Sequence, residues 1–176
     1  NLKIHAKTTL VVRREGKTLR RYVHLGTGNY HARTARQYTD YGLFSCDSNI
    51  GEDVQEIFQQ LTTMGRAKRL RRMLQSPFTM HKSLLEQIDQ EIANLGAGKP
   101  AWIKAKMNSL IEPQIIQALY RASQAGVRVD LVVRGICALR PGIRGVSDNI
   151  RVRSVVGRFL EHTRLFAFAA AGETLV

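Results

Sequence analysis

Two short segments of the chain carry a histidine, one intervening residue and a cation ahead of an apolar run. The first holds His5 and Lys7, and the second holds His162 and Arg164. In an extended strand, residues i and i+2 lie on one face, roughly 6.5 Å apart. His5 and Lys7 are therefore expected to share a face, as a nucleophile beside a cation would, although two solvated polar residues on an edge strand have the same spacing.

The chemistry that fits these residue types is phosphoryl transfer. Imidazole is a nucleophile near neutral pH, because its unperturbed pKa is about 6.5. A neighbouring cation disfavours its protonation and can bind the anionic oxygens of a phosphoryl group. Such a transfer needs in-line positioning and charge neutralisation and little else from the protein.

A GTGN segment at residues 26–29 suits the same chemistry. Its two glycines allow backbone N–H groups to turn toward an anion, and Asn29 adds a side-chain amide. The recurrence of the histidine–cation pair before a second apolar run predicts two related halves whose histidines serve one site.

The composition agrees with a folded protein that has a polyanionic partner. Of the 176 residues, 44% are hydrophobic, and 27 Lys and Arg residues stand against 14 acidic residues, for a net charge of +13. Such an excess indicates nucleic acid, an anionic membrane or a phosphate-rich substrate. Cys46 and Cys137 have no metal or redox spacing, and no apolar run approaches the length of a membrane span, so we expect a cytoplasmic protein.

The first part of the chain predicts strands over 4–12, 19–25 and 38–45, the first two joined by a turn at Gly16. A helix follows, with Ile50, Val54, Ile57, Phe58 and Leu61 on one face and two acidic residues in its first turn. The basic run at 65–72 is expected to be a solvated helix face or connector, with polyanion binding as the alternative. A boundary is predicted near residue 75.

The second part repeats an alternation of helices and strands. Helices are predicted over 80–95 and 113–125, and strands over 102–107, 127–133 and 150–156, with a last strand after His162. A strand, helix and strand within about 30 residues form a βαβ unit. The fold class is therefore predicted to be α/β with a mixed sheet.

Several motifs in order resemble one family. HAK, HLGTGNYHARTARQYTDYGL, LVVRGICALRPGI, SDNIRVRS and RFLEHTRLF are closely similar to the ATP-dependent, phospholipase-D-like family of polyphosphate kinases. The resemblance implies a phospholipase-D-like fold with two related halves, truncated at both ends. Residues 1–75 would be the C-terminal part of the first catalytic domain, and residues 76–176 most of the second.

The resemblance also implies a role for each matching residue. His5 would become phosphorylated, and His162 would assist as acid or base. Lys7 and Asn29 would bind phosphate oxygens in the first half. The two remaining positions are Tyr38, which would contact the nucleotide, and Arg134, which would hold nucleotide phosphates.

The implied activity is reversible transfer of the terminal phosphate of ATP to polyphosphate, with Mg²⁺ as cofactor. The magnesium ligands are expected outside this segment, and the fragment alone is expected to be inactive. ATP, ADP and polyphosphate are the implied partners, and nucleic acid is not expected. The family further implies a homo-oligomer and allows peripheral association with the inner face of the membrane.

Two departures from the wider phospholipase-D pattern favour the kinase. Val12 stands where that pattern has an aspartate, and Arg164 stands where it has a lysine. A phosphodiesterase remains the alternative among enzymes, and a polyanion-binding module remains the alternative outside enzymes.

Without the resemblance, each candidate also has a structural interpretation. Tyr38 could be a half-buried strand residue, and Arg134, which ends an apolar strand, could lie on the surface. Arg151 and Arg153 alternate onto one strand face, either as a solvated face or as a basic wall for polyphosphate. The other histidines suit surface or packing roles, although His31 lies close enough to GTGN to line the site.

Overall fold

The computed structural model describes residues 3–63, 65 and 68–173 and divides the chain into two compact units. Unit 1 comprises residues 1–80 and unit 2 comprises residues 81–176. Each unit combines helices with a β-sheet, so the predicted mixed α/β class is confirmed. The assignment of 1–75 and 76–176 to two catalytic domains stays a prediction. None of the helices in the described residues is both long and apolar enough to cross a membrane.

Unit 1 is built on a three-stranded antiparallel sheet in the order β1-β2-β4. Its elements are β1 (Thr8–Glu15), β2 (Thr18–Gly26), α1 (Ala32–Ala35), β3 (Tyr38–Thr39), β4 (Gly42–Ser45) and α2 (Ser48–Thr63). The predicted hairpin turn is present at Gly16, whose φ of +60° is open to glycine at little cost. Helix α2 packs on β1 and β2, where a side chain at Gly51 would lie 2.8 Å from the Cβ of Arg21.

The first strand begins later than predicted. The ladder with β2 starts at Thr8, which lies opposite Leu25, and continues to Glu15. Residues 4–7 precede the strand, because β2 ends at Gly26 and offers no further partners beyond the bond from Gly26 N–H to the Lys7 carbonyl (2.9 Å). His5 and Lys7 therefore lie in the segment that leads into β1.

The predicted strand 38–45 is also interrupted. β3 ends at Thr39 and β4 begins at Gly42, because the residues between them bond to the GTGN segment instead of to a neighbouring strand. The predicted apolar face of α2 is only partly correct: Val54 is buried, whereas Phe58 and Leu61 are exposed.

The basic run at 65–72 is not helical at its described positions, and residues 66 and 67 lie outside the described residues. A buried carboxylate holds its end. Asp53, predicted in the first turn of α2, lies further inside the helix and accepts hydrogen bonds from the backbone N–H groups of Arg71, Arg72 and Met73 at 2.7–3.0 Å. Burial alone would raise the pKa of this carboxyl group, but these bonds and the Arg71 charge outweigh it and lower the pKa.

Unit 2 is a four-stranded mixed sheet in the order β7-β6-β5-β9, with β9 antiparallel to three parallel strands. Helix α3 (Met80–Gly96) precedes its elements β5 (Trp102–Met107), α4 (Pro113–Gln124), β6 (Arg128–Val133), β7 (Ile150–Arg153), β8 (Leu160–Glu161) and β9 (Leu165–Phe168), and a 3-10 turn follows at Ala170–Gly172. Strand β7 ends three residues earlier than predicted, where Ser154 turns its hydroxyl to the Arg134 carbonyl (3.3 Å).

The core of unit 2 lies between the helices and one face of the sheet. Alternate residues of β5 and β6 are buried there, among them Ile103, Val129 and Leu131, and they meet Leu119 of α4. Helix α4 begins as predicted at Pro113 and ends before Gly126, whose φ is +97°.

A second buried carboxylate joins α3 to the sheet of unit 2. Glu91 is fully buried and accepts hydrogen bonds from the Trp102 N–H (3.0 Å), at the start of β5, and from the Ala170 N–H (2.8 Å), just after β9. Asn94, one turn further along α3, donates to the same carboxylate (3.3 Å). These bonds satisfy backbone donors at two neighbouring strands with one side chain.

Asp53→Asn tests the first of these carboxylates. The amide loses the charge that strengthens the three backbone bonds, so the free energy of unfolding at neutral pH should fall by about 2–3 kcal/mol. Because the folded-state pKa is lowered, the stabilisation is complete above the ordinary value of 3.8 and is lost as the pH falls through the folded-state value.

Denaturant unfolding of both chains at several pH values measures this difference. Asp89→Asn, which alters an exposed ion pair with Arg121, is the control and should change stability little. A wild-type advantage over Asp53→Asn that stays constant between neutral and strongly acidic pH would contradict the assignment.

Candidate active site

In unit 1, His5 and Lys7 meet as the sequence predicts, although they do so outside a strand. The ammonium Nζ of Lys7 lies 3.0 Å from Nε2 of His5, and the histidine is exposed. An ammonium has hydrogens to donate and no lone pair, so Nε2 is the acceptor and the imidazole proton is on Nδ1. In this contact the lone pair of Nε2 points at the Lys7 ammonium.

The GTGN segment is attached directly to this pair. Gly26, its first residue, donates from its backbone N–H to the Lys7 carbonyl (2.9 Å). Asn29 is exposed, and its carbonyl accepts a bond from the His31 N–H (2.8 Å). Lys7 and GTGN, predicted to bind phosphate together, are therefore adjacent in unit 1.

The RQYTDYG motif fixes the conformation of GTGN. Thr27 donates from its hydroxyl to the Asp40 carboxylate (2.7 Å), and its backbone N–H donates to the Tyr41 carbonyl (3.0 Å). The Tyr41 N–H donates in return to the Thr27 hydroxyl (3.0 Å). Tyr38 is half-buried in β3, two residues before Asp40. The candidate nucleotide contact and the candidate phosphate loop thus belong to one hydrogen-bonded structure.

Two of the remaining histidines have packing or capping roles within unit 1. His24 contacts the rings of Tyr30 and Phe44, and its Nδ1 lies 2.6 Å from the Tyr30 hydroxyl. His31 caps α1, with its Nδ1 accepting from the Thr34 N–H (3.3 Å).

In unit 2, His162 follows β8 and is half-buried. Its neighbours on both sides are held by one lysine: Lys106 donates to the Glu161 carboxylate and to the Thr163 hydroxyl (2.6 Å). Arg134 donates from Nη1 to the Glu161 carbonyl (3.1 Å). Two cations therefore contact the residues that flank His162: Lys106 through their side chains and Arg134 through the Glu161 backbone carbonyl.

Arg134 stands where the sequence predicts, just past the C-terminal end of β6. Its backbone N–H bonds to the carbonyl of Met107 (3.1 Å), the last residue of the parallel strand β5. Carboxyl ends of parallel strands are the edge at which α/β proteins place ligands. A guanidinium has five N–H groups, and the bond to Glu161 uses one of its two terminal nitrogens, which leaves donors for a phosphate.

The helix-free face of the unit 2 sheet carries a basic groove of about 460 Å³. Arg151 and Arg153, which the sequence places on one face of a strand, both line it. The other charged residues of its lining are Lys104, Lys106, Arg128 and Asp130. Arg128 and Asp130 pair with each other at 2.8 Å.

Clusters of metal-ligating side chains are absent from the part of the chain that the structure describes. Within 3–63, 65 and 68–173, no three His, Cys, Asp or Glu side chains form a group that could hold a metal ion. The family resemblance implies Mg²⁺, whose ligands are predicted to lie outside this segment.

Sequence reasoning missed the residues that hold the site. Asp40 is the single acidic residue of YTDY, and Glu161 and Thr163 flank His162, so proximity in sequence could have indicated all three. Lys106 gives a weaker signal, since strand alternation places it on the face of β5 opposite the core. Its partners lie more than 50 residues away.

Two family models together match nearly the whole chain. The family model described as "Polyphosphate kinase C-terminal domain 2" matches residues 73–176, and "Polyphosphate kinase C-terminal domain 1" matches residues 1–67. The chain belongs to the polyphosphate kinase family. Polyphosphate kinase from Burkholderia multivorans is 62% identical over 174 residues, which are 97% of this chain and 25% of the relative. That from Neisseria meningitidis serogroup C is 57% identical over 166 residues, 94% of this chain and 24% of the relative.

The fold is also similar to a solved member of the family. The crystal structure of polyphosphate kinase from Porphyromonas gingivalis matches with a TM-score of 0.87 and 38% sequence identity, covering 98% of this chain and 29% of that chain. The chain thus spans about a quarter of the length of the curated polyphosphate kinases it matches.

Gly28→Ala tests whether GTGN depends on its contact with Asp40. A Cβ at residue 28 would lie 2.7 Å from the Asp40 carboxylate oxygen, too close for either group to stay in place. We expect the free energy of unfolding to fall by about 1–3 kcal/mol, in the range of overpacked sites. Gly96→Ala is the control, because a Cβ there meets nothing within 4 Å. Equal stability of the two variants in denaturant unfolding would show that the loop adapts freely.

Proposed function

We propose that the protein containing this chain transfers the terminal phosphate of ATP reversibly to inorganic polyphosphate, with His5 as the phosphorylated residue. Membership of the polyphosphate kinase family supports the reaction. The observation that carries the residue assignment is the 3.0 Å contact between Lys7 Nζ and His5 Nε2. In this contact the lone pair of Nε2 points at the Lys7 ammonium. An arriving phosphate oxygen can attract that ammonium and so expose the lone pair for attack.

The first half-reaction forms a phosphorus–nitrogen bond. As the γ-phosphate arrives, the Lys7 ammonium moves from Nε2 to the phosphate oxygens, and the Nε2 lone pair attacks phosphorus. The bond to the β-phosphate oxygen breaks, and ADP leaves with that electron pair. Lys7, Asn29 and Arg134 neutralise the oxygens of the transferred group.

The second half-reaction returns the histidine to its starting state. A terminal oxygen of polyphosphate attacks phosphorus, and the phosphorus–nitrogen bond breaks with its electrons returning to Nε2. The chain is longer by one phosphate. Tyr38 positions the nucleotide, and His162 assists as acid or base.

Labelling with γ-labelled ATP tests the nucleophile in a full-length protein that contains this segment. Acid-labile, alkali-stable label on the protein is expected, because phosphohistidine has that stability. His5→Ala should abolish the label and lower polyphosphate synthesis by about a thousandfold or more. His81→Gln is the control, since His81 pairs with Glu112 (3.2 Å) and should keep both label and activity.

The outcomes separate the alternatives. Label that survives His5→Ala would move the nucleophile to another residue. An active protein that is never labelled would transfer phosphate directly from ATP to polyphosphate. Release of products from lipid or DNA without nucleotide would favour the phosphodiesterase.

We propose further that Arg151 and Arg153 form a basic wall for the polyphosphate chain. Both are exposed on β7, two residues apart in a parallel ladder, and both line the basic groove. Successive phosphates of an extended polyanion can be neutralised by such a row.

Arg153→Ala is expected to raise the apparent KM for long-chain polyphosphate about three- to tenfold, the effect of removing one charge contact. The KM for ATP should not change, and the effect should weaken at high salt. Arg144→Ala removes an exposed arginine outside the sheet and serves as the control. An unchanged KM for polyphosphate in Arg153→Ala would place the chain elsewhere.

A further inference from the structure

The segment that carries His162 is held by contacts that no sequence motif indicates. Lys106 is the second-last residue of β5. It lies opposite Val132 of β6 on one side and opposite Leu165 of β9 on the other. Leu165 is the first residue of β9, three residues after His162. Lys106 therefore stands beside the point where the His162 segment enters the sheet.

The lysine contacts both neighbours of His162. Its Nζ donates to the Glu161 carboxylate and to the Thr163 hydroxyl (2.6 Å). The Thr163 residue is 1% exposed, and the side chains of Lys106 and Glu161 are 20% and 21% exposed. Removing one partner from such a half-buried pair leaves the other charge without compensation.

This arrangement restricts the direction of the histidine. Side chains alternate along an extended backbone, so fixing residues 161 and 163 to one ammonium limits the orientations available to the residue between them. Arg134 adds a third constraint by donating to the Glu161 carbonyl (3.1 Å). The same guanidinium is the proposed phosphate contact, so phosphate binding and His162 position share one backbone segment.

We propose that Lys106 is a positioning residue, which acts through Glu161 and Thr163 to hold His162 in the geometry required for phosphoryl transfer. This inference rests on the proposed role of His162. The charge of Lys106 is matched by Glu161, and two of its three N–H donors are used by these partners. Its part in the reaction is therefore to orient His162 and not to bind the nucleotide.

Lys106→Met is the principal test, made in a full-length protein that contains this segment. Methionine keeps the length and apolar stem of lysine and removes the donors. Because a displacement of about 1 Å at a reacting group can cost about a hundredfold in rate, kcat should fall about 10- to 100-fold. The KM for ATP should stay within about threefold. Lys106→Arg keeps the charge and N–H donors and should restore at least part of kcat.

Two other lysines separate positioning from simpler explanations. Lys82→Met removes a lysine that also pairs with a glutamate, Glu86, but at the surface of α3 (3.6 Å), and it should leave activity unchanged. Lys104→Met removes a cation from the same strand and the same groove; Lys104 lies over the Trp102 ring (4.7 Å). Its kcat should stay well above that of Lys106→Met.

Thr163→Val covers the case in which Lys106→Met does not fold. Valine is close to threonine in volume and leaves the Lys106–Glu161 pair in place while removing the hydroxyl acceptor. Its kcat should fall by a smaller factor than that of Lys106→Met, with KM unchanged. Thermal unfolding of each variant shows whether the loss of rate exceeds any loss of folded protein at the assay temperature.

The outcomes that overturn the inference are distinct. Equal kcat in Lys106→Met and Lys104→Met would remove any special role for Lys106. A raised KM for ATP or polyphosphate with unchanged kcat would make Lys106 a binding residue. His162→Ala tests the premise separately: if that variant keeps full activity, the proposed function of His162 fails, whatever Lys106 does.

Discussion

Both units depend on a buried carboxylate that accepts backbone N–H groups outside or at the edge of regular structure. Glu91 in α3 receives the N–H groups of Trp102 and Ala170, and Asp53 in α2 receives those of three residues from 71 to 73. A buried backbone donor without a partner costs about as much as a lost hydrogen bond. These carboxylates remove that cost and fix each helix relative to the backbone around it.

The candidate catalytic residues are held on the same principle, by side chains that bond to backbone and to each other. Asp40 and Thr27 hold GTGN to the segment that contains Tyr38. Lys106 bonds to the side chains on either side of His162, and Arg134 bonds to the Glu161 carbonyl. Such bonds restrict the conformations of the segments that carry the candidate residues. The exposed His5 differs, because Lys7, which contacts it, is itself a proposed phosphate ligand.

Local sequence patterns correctly predicted the bounds of those strands and helices whose ends depend on their own residues. Strand β5 has the predicted bounds, and α4 begins at Pro113 and ends just before Gly126 because a proline and a glycine act on their own backbone. The predicted strand bounds were wrong where a partner distant in sequence sets the end of the strand. β1 begins at Thr8 because β2 ends at Gly26, and the strand predicted over 38–45 is divided because its central residues bond to Thr27.

The sequence by itself determined the α/β class, the paired histidine–cation segments, the GTGN loop and the family to which the chain belongs, since each is a property of residue type and spacing. Only the tertiary structure decided which groups support them. Asp53, Glu91 and Lys106 bond to residues that lie 11 to 79 positions away. Such partners become neighbours when strands pair and helices pack, and hydrogen bonds form only at distances near 3 Å. A local sequence pattern therefore could not predict which distant residues these side chains contact.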